Sequence, residues 1–221
     1  MLYSVQAVRD NIRNREGKRV FYLGKSDQLT SEARDYLTRE RIEILPAEMA
    51  KPARFRLLTG GYLEEKPEHM THLNGDVLVE KTHPRIAFRG AMDTLEAELL
   101  LGQLELSQWQ KELGEVLALV RRLLRCEVLE EPLPEQTLGG LDSGQLRAQS
   151  HRPQDYYGQP HFMPSVEDGA VVLRLNRLRS QVRYGELKAA AAVPERTDIL
   201  QALNRMSSFL YILMIRQKAG K

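Results

Sequence analysis

Two stretches near the C-terminus decide the fold: LRSQVRYGE at residues 178–186 and ILQALNRMSSFLYILMI at residues 199–215. In the first, Arg179, Arg183 and Glu186 occupy positions i, i+4 and i+7, which share one face of a helix. Three charged side chains therefore point the same way. Either they form a solvated face with an ordinary ion pair, or they face a common ligand.

The second stretch is an apolar helix pattern with one narrow polar stripe. Asn204, Ser207 and Tyr211 lie at i, i+3 and i+7. Polar groups on an otherwise apolar helix need partners, and the preceding helix offers them after a break at residues 193–195. Two antiparallel helices would gather two arginines, a carboxylate and an amide in one small volume. The alternative is that Asn204 is a satisfied core amide.

The resulting set of side chains predicts a site for phosphates. Each arginine offers a planar fork of donors that fits two phosphate oxygens and keeps its charge. Glu186 and Asn204, beside Arg179 and Arg183, would orient a hydrated Mg²⁺ on the same phosphates.

Composition limits the class of protein. The 221 residues, 42% hydrophobic and 28% charged, can bury one good core and carry a small extension. A net charge of +2 favours neither nucleic acid nor membrane as a partner. The single cysteine, Cys126, and the lack of an apolar run long enough to span a bilayer predict a soluble cytoplasmic protein.

The expected fold class is mainly α, a bundle of about five helices with a small N-terminal α/β appendage. Three regions are predicted: a small α/β segment at 1–48, a linker with a nucleotide loop at 49–83, and the helical domain at 84–221. Capping motifs at Thr30 and Ser165 predict two helix starts. The middle region has no sustained period and is interrupted by Pro52, Gly60, Gly61 and Pro67.

Both C-terminal stretches match a known family. The pattern Arg-x-x-x-Arg-x-x-Glu followed by Leu-Asn-Arg-Met-Ser resembles the end of the PduO-type ATP:corrinoid adenosyltransferases, through Arg179, Arg183, Glu186, Leu203, Asn204, Arg205 and Ser207. A closer resemblance is to the ethanolamine-utilisation (EutT-type) branch of these enzymes. It runs over most of the chain and includes Thr71 to Leu73, Pro84, Arg85, Phe88, Arg89, Asp93, Glu131 to Leu133 and Asp198 to Arg205.

The resemblance implies transfer of the 5′-deoxyadenosyl group of ATP to a cobalt(I) corrinoid. The products would be triphosphate and adenosylcobalamin for ethanolamine ammonia-lyase. ATP, Mg²⁺ and cobalamin are the implied ligands, with Mg²⁺ at Glu186 and Asn204. The family further implies a homo-oligomer, a trimer by analogy, with active sites at subunit interfaces. A reductase as a partner and a bacterial microcompartment as the setting are also implied.

The resemblance also assigns catalytic roles. Arg179 and Arg183 would bind the triphosphate. A family aspartate pairs with the first motif arginine of a neighbouring subunit, which implies Asp93 with Arg179 across an interface. The loop before the last two helices aligns with a Phe-x-x-Pro segment whose phenylalanine pushes the lower ligand off cobalt. The register admits His161 or Phe162, and Phe162 is favoured as an apolar wedge.

The middle region carries a weaker match. Gly75 and Asp76, followed by Lys81, resemble the Thr-Lys-Thr-Gly-Asp nucleotide loop of the PduO type, and Gly75 permits backbone amides to face a phosphate. Asn-Gly-Asp is equally a common turn. Metal-dependent members of the ethanolamine branch carry a histidine and a Cys-Cys-x-x-Cys cluster here. This region has no cysteine, so no zinc or iron site is predicted.

Two other classes of protein compete with this reading. A non-catalytic corrinoid carrier would bind cobalamin without turning over ATP. A helical scaffold or nucleic-acid-binding protein would use a basic stripe at Arg174, Arg177, Arg179 and Arg183. Such a stripe has no need of Glu186, Asn204 or Asp93, which favours the adenosyltransferase.

Overall fold

A computed structural model describes residues 1–15, 17–50 and 55–220. The chain divides into two compact units, residues 1–83 and 84–221, each with its own hydrophobic core.

The first unit is a mixed sheet with two short helices. Its helices are α1 (Val5–Asn11) and α2 (Ser31–Arg39), and its strands are β1 (Leu2–Tyr3), β2 (Arg13–Arg15), β3 (Lys18–Leu23), β4 (Gln28–Leu29), β5 (Glu43–Pro46), β6 (Phe55–Leu57), β7 (Tyr62–Leu63), β8 (Met70–Asn74) and β9 (Val77–Glu80). Seven strands form one sheet in the order β5-β3-β2-β7-β6-β9-β8, and β1 pairs with β4. Thr30 caps α2 as predicted, accepting a hydrogen bond from the Ala33 N–H.

The structure differs from the linker predicted at residues 49–83. Strands β6 to β9 occupy much of that region, and β7 pairs with β2, so one sheet runs through it and the segment before it. Each of the four strands has only two to five residues. Strands this short show no clear alternation in the sequence, which is why the pattern indicated a loop. Pro52 lies outside the described residues.

The second unit is a bundle of helices, so the chain is mainly α as predicted. Its α-helices in the described residues are α3 (Pro84–Glu105), α4 (Gln110–Leu129), α5 (Ser143–His151), α6 (Pro153–Tyr157), α7 (Gly169–Ala192) and α8 (Thr197–Lys218). α7 packs along both α3 and α8, while α4 packs on α3 and α5 packs on α8. The capping box predicted at Ser165 forms with Asp168, just before α7.

A continuous apolar core joins the long helices, with Leu95, Leu178 and Leu210 fully buried in it. Gly185 on α7 lies against Met92 of α3, and an added Cβ at this glycine would lie 2.1 Å from Met92 Cε. Since interiors are close-packed, a side chain at Gly185 would force the Met92 side chain to move. The glycine therefore leaves room for the buried Met92 side chain between α3 and α7.

A buried charge cluster fastens α3 to α4. The Glu127 carboxylate is fully buried and accepts hydrogen bonds from Arg85 Nε and from Arg89 Nε, the latter at 2.6 Å. Arg85 Nη2 also donates to the Glu127 carbonyl at 2.8 Å. A buried carboxylate is tolerated when it is paired in this way, which gives Arg85 and Arg89 a structural reason for their place in the family pattern.

Asp198 fastens the corner at residues 131–133 to the start of α8. Its Oδ2 accepts hydrogen bonds from Arg196 Nη2 and from the Leu133 N–H, each at 2.8 Å. The Arg196 hydrogen bond is the largest of the causes that lower the pKa of Asp198 from its ordinary value to about 2.

Replacing Asp198 with asparagine is expected to lower the thermal midpoint near neutral pH and to matter far less in acid. The folded carboxyl has the lower pKa, so its contacts stabilise the fold fully above about pH 4 and lose this effect as the pH falls toward 2. Thermal midpoints of Asp198→Asn and wild type across this range measure the effect. A difference that does not shrink with acid would contradict the assignment.

Candidate active site

Helices α5, α7 and α8 and the loop before α7 surround an open cavity of about 330 Å³. Seven residues singled out from the sequence line it: five lie on α7 and α8, where the i, i+4 spacing and the polar stripe face each other, and two lie on the loop. The lining residues are Ser150, His151, His161, Phe162, Arg179, Arg183, Asn204, Ser207, Ser208 and Tyr211.

The arginine pair has no carboxylate partner among residues 1–15, 17–50 and 55–220. Arg179 is half-buried, with its guanidinium 5.5 Å from the centroid of the Tyr211 ring, and it donates to Asn176 Oδ1 at 3.2 Å. Burial, and then repulsion from the exposed Arg183, lowers the pKa of Arg179. Arginine remains charged even so, and an anion bound between the two side chains would offset the repulsion.

Glu186 on α7 contacts Asn204 on α8. Asn204 Nδ2 donates to Glu186 Oε1 at 3.2 Å, and Asn204 Oδ1 accepts from Arg205 Nη1 at 2.8 Å. Arg205 Nε in turn donates to Ser143 Oγ at 2.9 Å. These hydrogen bonds fix the direction of the amide and hold a carboxylate beside the residues that line the cavity.

The donor set fits Mg²⁺ only as a companion of a phosphate ligand. Mg²⁺ commonly binds through one or two carboxylates together with phosphate oxygens and water, and Glu186 supplies one carboxylate. The Asn204 oxygen would have to be shared with Arg205. No group of three or more His, Cys, Asp or Glu in the described part of the chain could hold a metal ion. The predicted lack of a zinc or iron site stays a prediction.

The loop before α7 presses two rings against Tyr211. The ring centroids of His161 and Phe162 lie 5.8 and 6.0 Å from that of Tyr211. His161 Nδ1 is 3.1 Å from Tyr211 Oη, and Nε2 is 3.1 Å from the His151 carbonyl oxygen. Phe162 is half-buried, with Lys218 Nζ 4.5 Å from its ring centroid. Both ring nitrogens of His161 are therefore engaged, and the role of Phe162 as the apolar wedge stays a prediction.

Three predicted site residues belong to the first unit. Gly75 has a φ of +53° in the turn between β8 and β9, Asp76 follows it, and Lys81 comes directly after β9. The interpretation of Asn-Gly-Asp as a turn is confirmed. Contact of these residues with a nucleotide stays a prediction.

Asp93 is exposed on α3 and does not line the cavity. Its pairing with Arg179 of a second subunit stays a prediction.

The structure argues against a basic stripe on α7. Arg174 and Arg177 both form ion pairs with Glu98 on α3, the latter at 2.6 Å. Hydrogen bonds from Arg174 and then Arg177 lower the pKa of Glu98. Two of the four arginines are therefore paired with a carboxylate, and Arg174 is only 14% exposed, while a surface that tracks phosphates needs free, exposed cations.

Tyr211, Ser208 and Lys218 are site residues that the sequence did not single out for a role. Tyr211 appeared only as the last member of the polar stripe, and its place in that stripe was the signal that could have assigned it to the cavity. Lys218 forms an ion pair with Asp168 beneath the loop, a contact that helical spacing cannot reveal.

The sequence model of the cobalamin adenosyltransferase family matches residues 61–217, a range that contains both α7 and α8. The chain belongs to this family. The predicted family resemblance is therefore confirmed, and the cavity lies within the matched part of this family member.

Curated relatives include the proteins named corrinoid adenosyltransferase EutT from Salmonella typhimurium (strain LT2) and from Escherichia coli (strain K12). Each is 37% identical over 158 residues, which cover 68% of this family member and 59% of the relative. The chain thus spans less than two thirds of the length of these relatives. No solved structure matches it. In the described residues, no helix is long and apolar enough to cross a membrane.

Proposed function

We propose that this family member transfers the 5′-deoxyadenosyl group of ATP to cob(I)alamin, releasing triphosphate and supplying adenosylcobalamin to ethanolamine ammonia-lyase. The observation that carries the proposal is the cavity that gathers Arg179, Arg183, Asn204 and Phe162. A pair of arginines suits a triphosphate, and a half-buried aromatic ring on a loop suits the flat face of a corrin.

The reaction requires positioning more than acid or base catalysis. The lone pair of cobalt(I) forms the bond to C5′ while the C5′–O bond breaks, and the electrons of that bond leave with the triphosphate. Because cobalt(I) is itself the nucleophile, no serine, cysteine or base triad is needed. The protein has to hold C5′ in line with cobalt, neutralise the leaving group and exclude water.

The cavity residues divide these tasks. Arg183 and Arg179 bind the triphosphate, and the Tyr211 ring braces Arg179. Glu186, with Asn204, would hold Mg²⁺ together with the phosphates, where the ion would neutralise part of their charge. The turn at Gly75 and Asp76, with Lys81, is proposed to contribute further nucleotide contacts.

Replacing Phe162 with alanine is expected to slow the reaction from cob(II)alamin by about tenfold or more, and from chemically prepared cob(I)alamin by about threefold or less. The ring is proposed to displace the axial ligand of cobalt(II), which makes that form easier to reduce. Initial rates with each corrinoid form, with reductant supplied to the first, measure the difference. If His161→Ala shows this pattern and Phe162→Ala does not, the register is shifted by one residue.

One face of α3 supports an oligomer. Leu100, Leu101 and Leu104 are 44, 51 and 80% exposed, on the face that also carries Asp93. Contiguous exposed apolar surface commonly marks subunit contacts. The proposed assembly is a homo-oligomer, a trimer by family analogy, in which Asp93 pairs with Arg179 of the next subunit. The reductase, the cytoplasmic location and the bacterial microcompartment are proposed on the family resemblance alone.

Anaerobic absorbance of the purified protein with cob(I)alamin and MgATP tests the proposed reaction. The expected product has a cobalt–carbon bond, forms only with ATP and is destroyed by light. Bound cobalamin without that product would indicate a corrinoid carrier. If neither ATP nor cobalamin binds, the assignment is overturned.

A further inference from the structure

Tyr211 contacts both functional parts of the cavity. Its ring lies under the Arg179 guanidinium, 5.5 Å from centroid to Cζ, and its hydroxyl accepts a hydrogen bond from the Phe162 N–H at 3.3 Å. The neighbouring Leu210 and Ile212 are buried in the core, so the backbone that carries Tyr211 is firmly held. One anchored side chain therefore contacts both Arg179, which is proposed to bind the triphosphate, and Phe162, which is proposed to act on the corrinoid.

The hydrogen bonds around Tyr211 form one chain with a defined direction. The His151 carbonyl can only accept, so His161 Nε2 carries the proton and donates to it. In the neutral ring, Nδ1 then accepts, and the Tyr211 hydroxyl donates to it. The Tyr211 oxygen accepts the Phe162 N–H. Each donor in the chain has an acceptor, so the hydroxyl fixes the loop at two consecutive residues.

We propose that Tyr211 is a positioning residue. Its hydroxyl holds the His161–Phe162 segment in place and its ring supports Arg179, so one side chain fixes the position of both the corrinoid-binding and the triphosphate-binding groups of the cavity. Its catalytic meaning rests on the proposed function, whereas its hold on the loop does not. Tyr211→Phe separates the two contributions, because it keeps the ring beneath Arg179 and removes only the hydroxyl.

Amide hydrogen exchange of the full chain without ligands tests the hold on the loop. In Tyr211→Phe, the peptide over residues 158–164 is expected to exchange about three- to tenfold faster than in wild type, because the Phe162 N–H loses its acceptor. Tyr184→Phe is the matched control, since this tyrosine is exposed on α7 and contacts Lys188. The control should leave exchange in the loop unchanged. Unchanged exchange in Tyr211→Phe would overturn the proposal.

Kinetics test the link to catalysis. Tyr211→Phe retains the ring beneath Arg179, so the KM for ATP is expected to stay within about twofold of wild type. The kcat of this variant is expected to fall about tenfold when the reaction starts from cob(II)alamin and about threefold or less when it starts from cob(I)alamin. Equal losses with the two corrinoid forms would overturn the positioning role. An inactive wild type would contradict the proposed function and leave the exchange result standing.

Discussion

Replacing Arg183 with alanine is expected to lower kcat/KM for adenosylation by at least about 30-fold, a loss of about 2 kcal/mol or more in transition-state stabilisation. Arg183 lines the cavity beside Arg179, and no carboxylate in the described ranges competes for it. In the proposed reaction, its charge is therefore available to the triphosphate, whose negative charge grows as the C5′–O bond breaks. Steady-state rates with cob(I)alamin and MgATP measure the loss.

Arg177→Ala is the matched control for Arg183→Ala. Arg177 lies on the same helix and is well exposed, but it pairs with Glu98 outside the cavity, and Glu98 keeps Arg174. Because Arg177 is exposed and Glu98 keeps a second partner, its loss should cost about 1 kcal/mol or less of stability and should leave the rate near that of wild type. A rate for Arg183→Ala within about threefold of wild type, in a protein that melts normally, would remove Arg183 from the mechanism.

Replacing Glu127 with glutamine is expected to lower the free energy of unfolding of the helical unit by about 3–5 kcal/mol. The change leaves Arg85 and Arg89, each only 16% exposed, without the carboxylate that both contact. Glutamine has nearly the same shape, so the loss would report the missing charge and not a cavity. Urea unfolding followed by helical circular dichroism measures it.

Glu131→Gln supplies the comparison for Glu127→Gln. Glu131 is half-exposed, and its nearest contact with Arg125 is 3.9 Å, so its removal should change stability by about 1 kcal/mol or less. If the two variants lose equal free energy of unfolding, the buried Glu127 cluster stabilises the fold no more than a surface ion pair does.

The helical half was predictable from the sequence because long helices repeat their pattern. α7 has 24 residues and α8 has 22, enough turns for a 3.6-residue period to stand out. The spacing therefore placed Arg179, Arg183 and Asn204 on facing sides of two neighbouring helices. By contrast, β6 to β9 are too short to show a period of two, and the sequence indicated a loop where the sheet continues.

Contacts between distant residues could not be predicted from spacing. Arg85 is 42 residues from Glu127, and His161 is 50 residues from Tyr211. Helical periodicity tells which side chains share a face, whereas the choice of loop that covers that face depends on tertiary packing. For that reason the sequence identified His161 and Phe162 as alternatives and placed Tyr211 in the polar stripe, but it did not show that the Tyr211 hydroxyl contacts both of them.

Helix α8 both lines the cavity and fills the core, which limits how the ligand specificity of the cavity can be changed by mutation. The helix supplies the polar stripe of the cavity and also the most continuous run of core residues, Phe209, Leu210 and Ile212 to Ile215. A mutant library directed at α8 should therefore lose many of its members to misfolding. A library directed at residues 158–165, where Met163 is 89% exposed, would vary the binding surface on an intact scaffold.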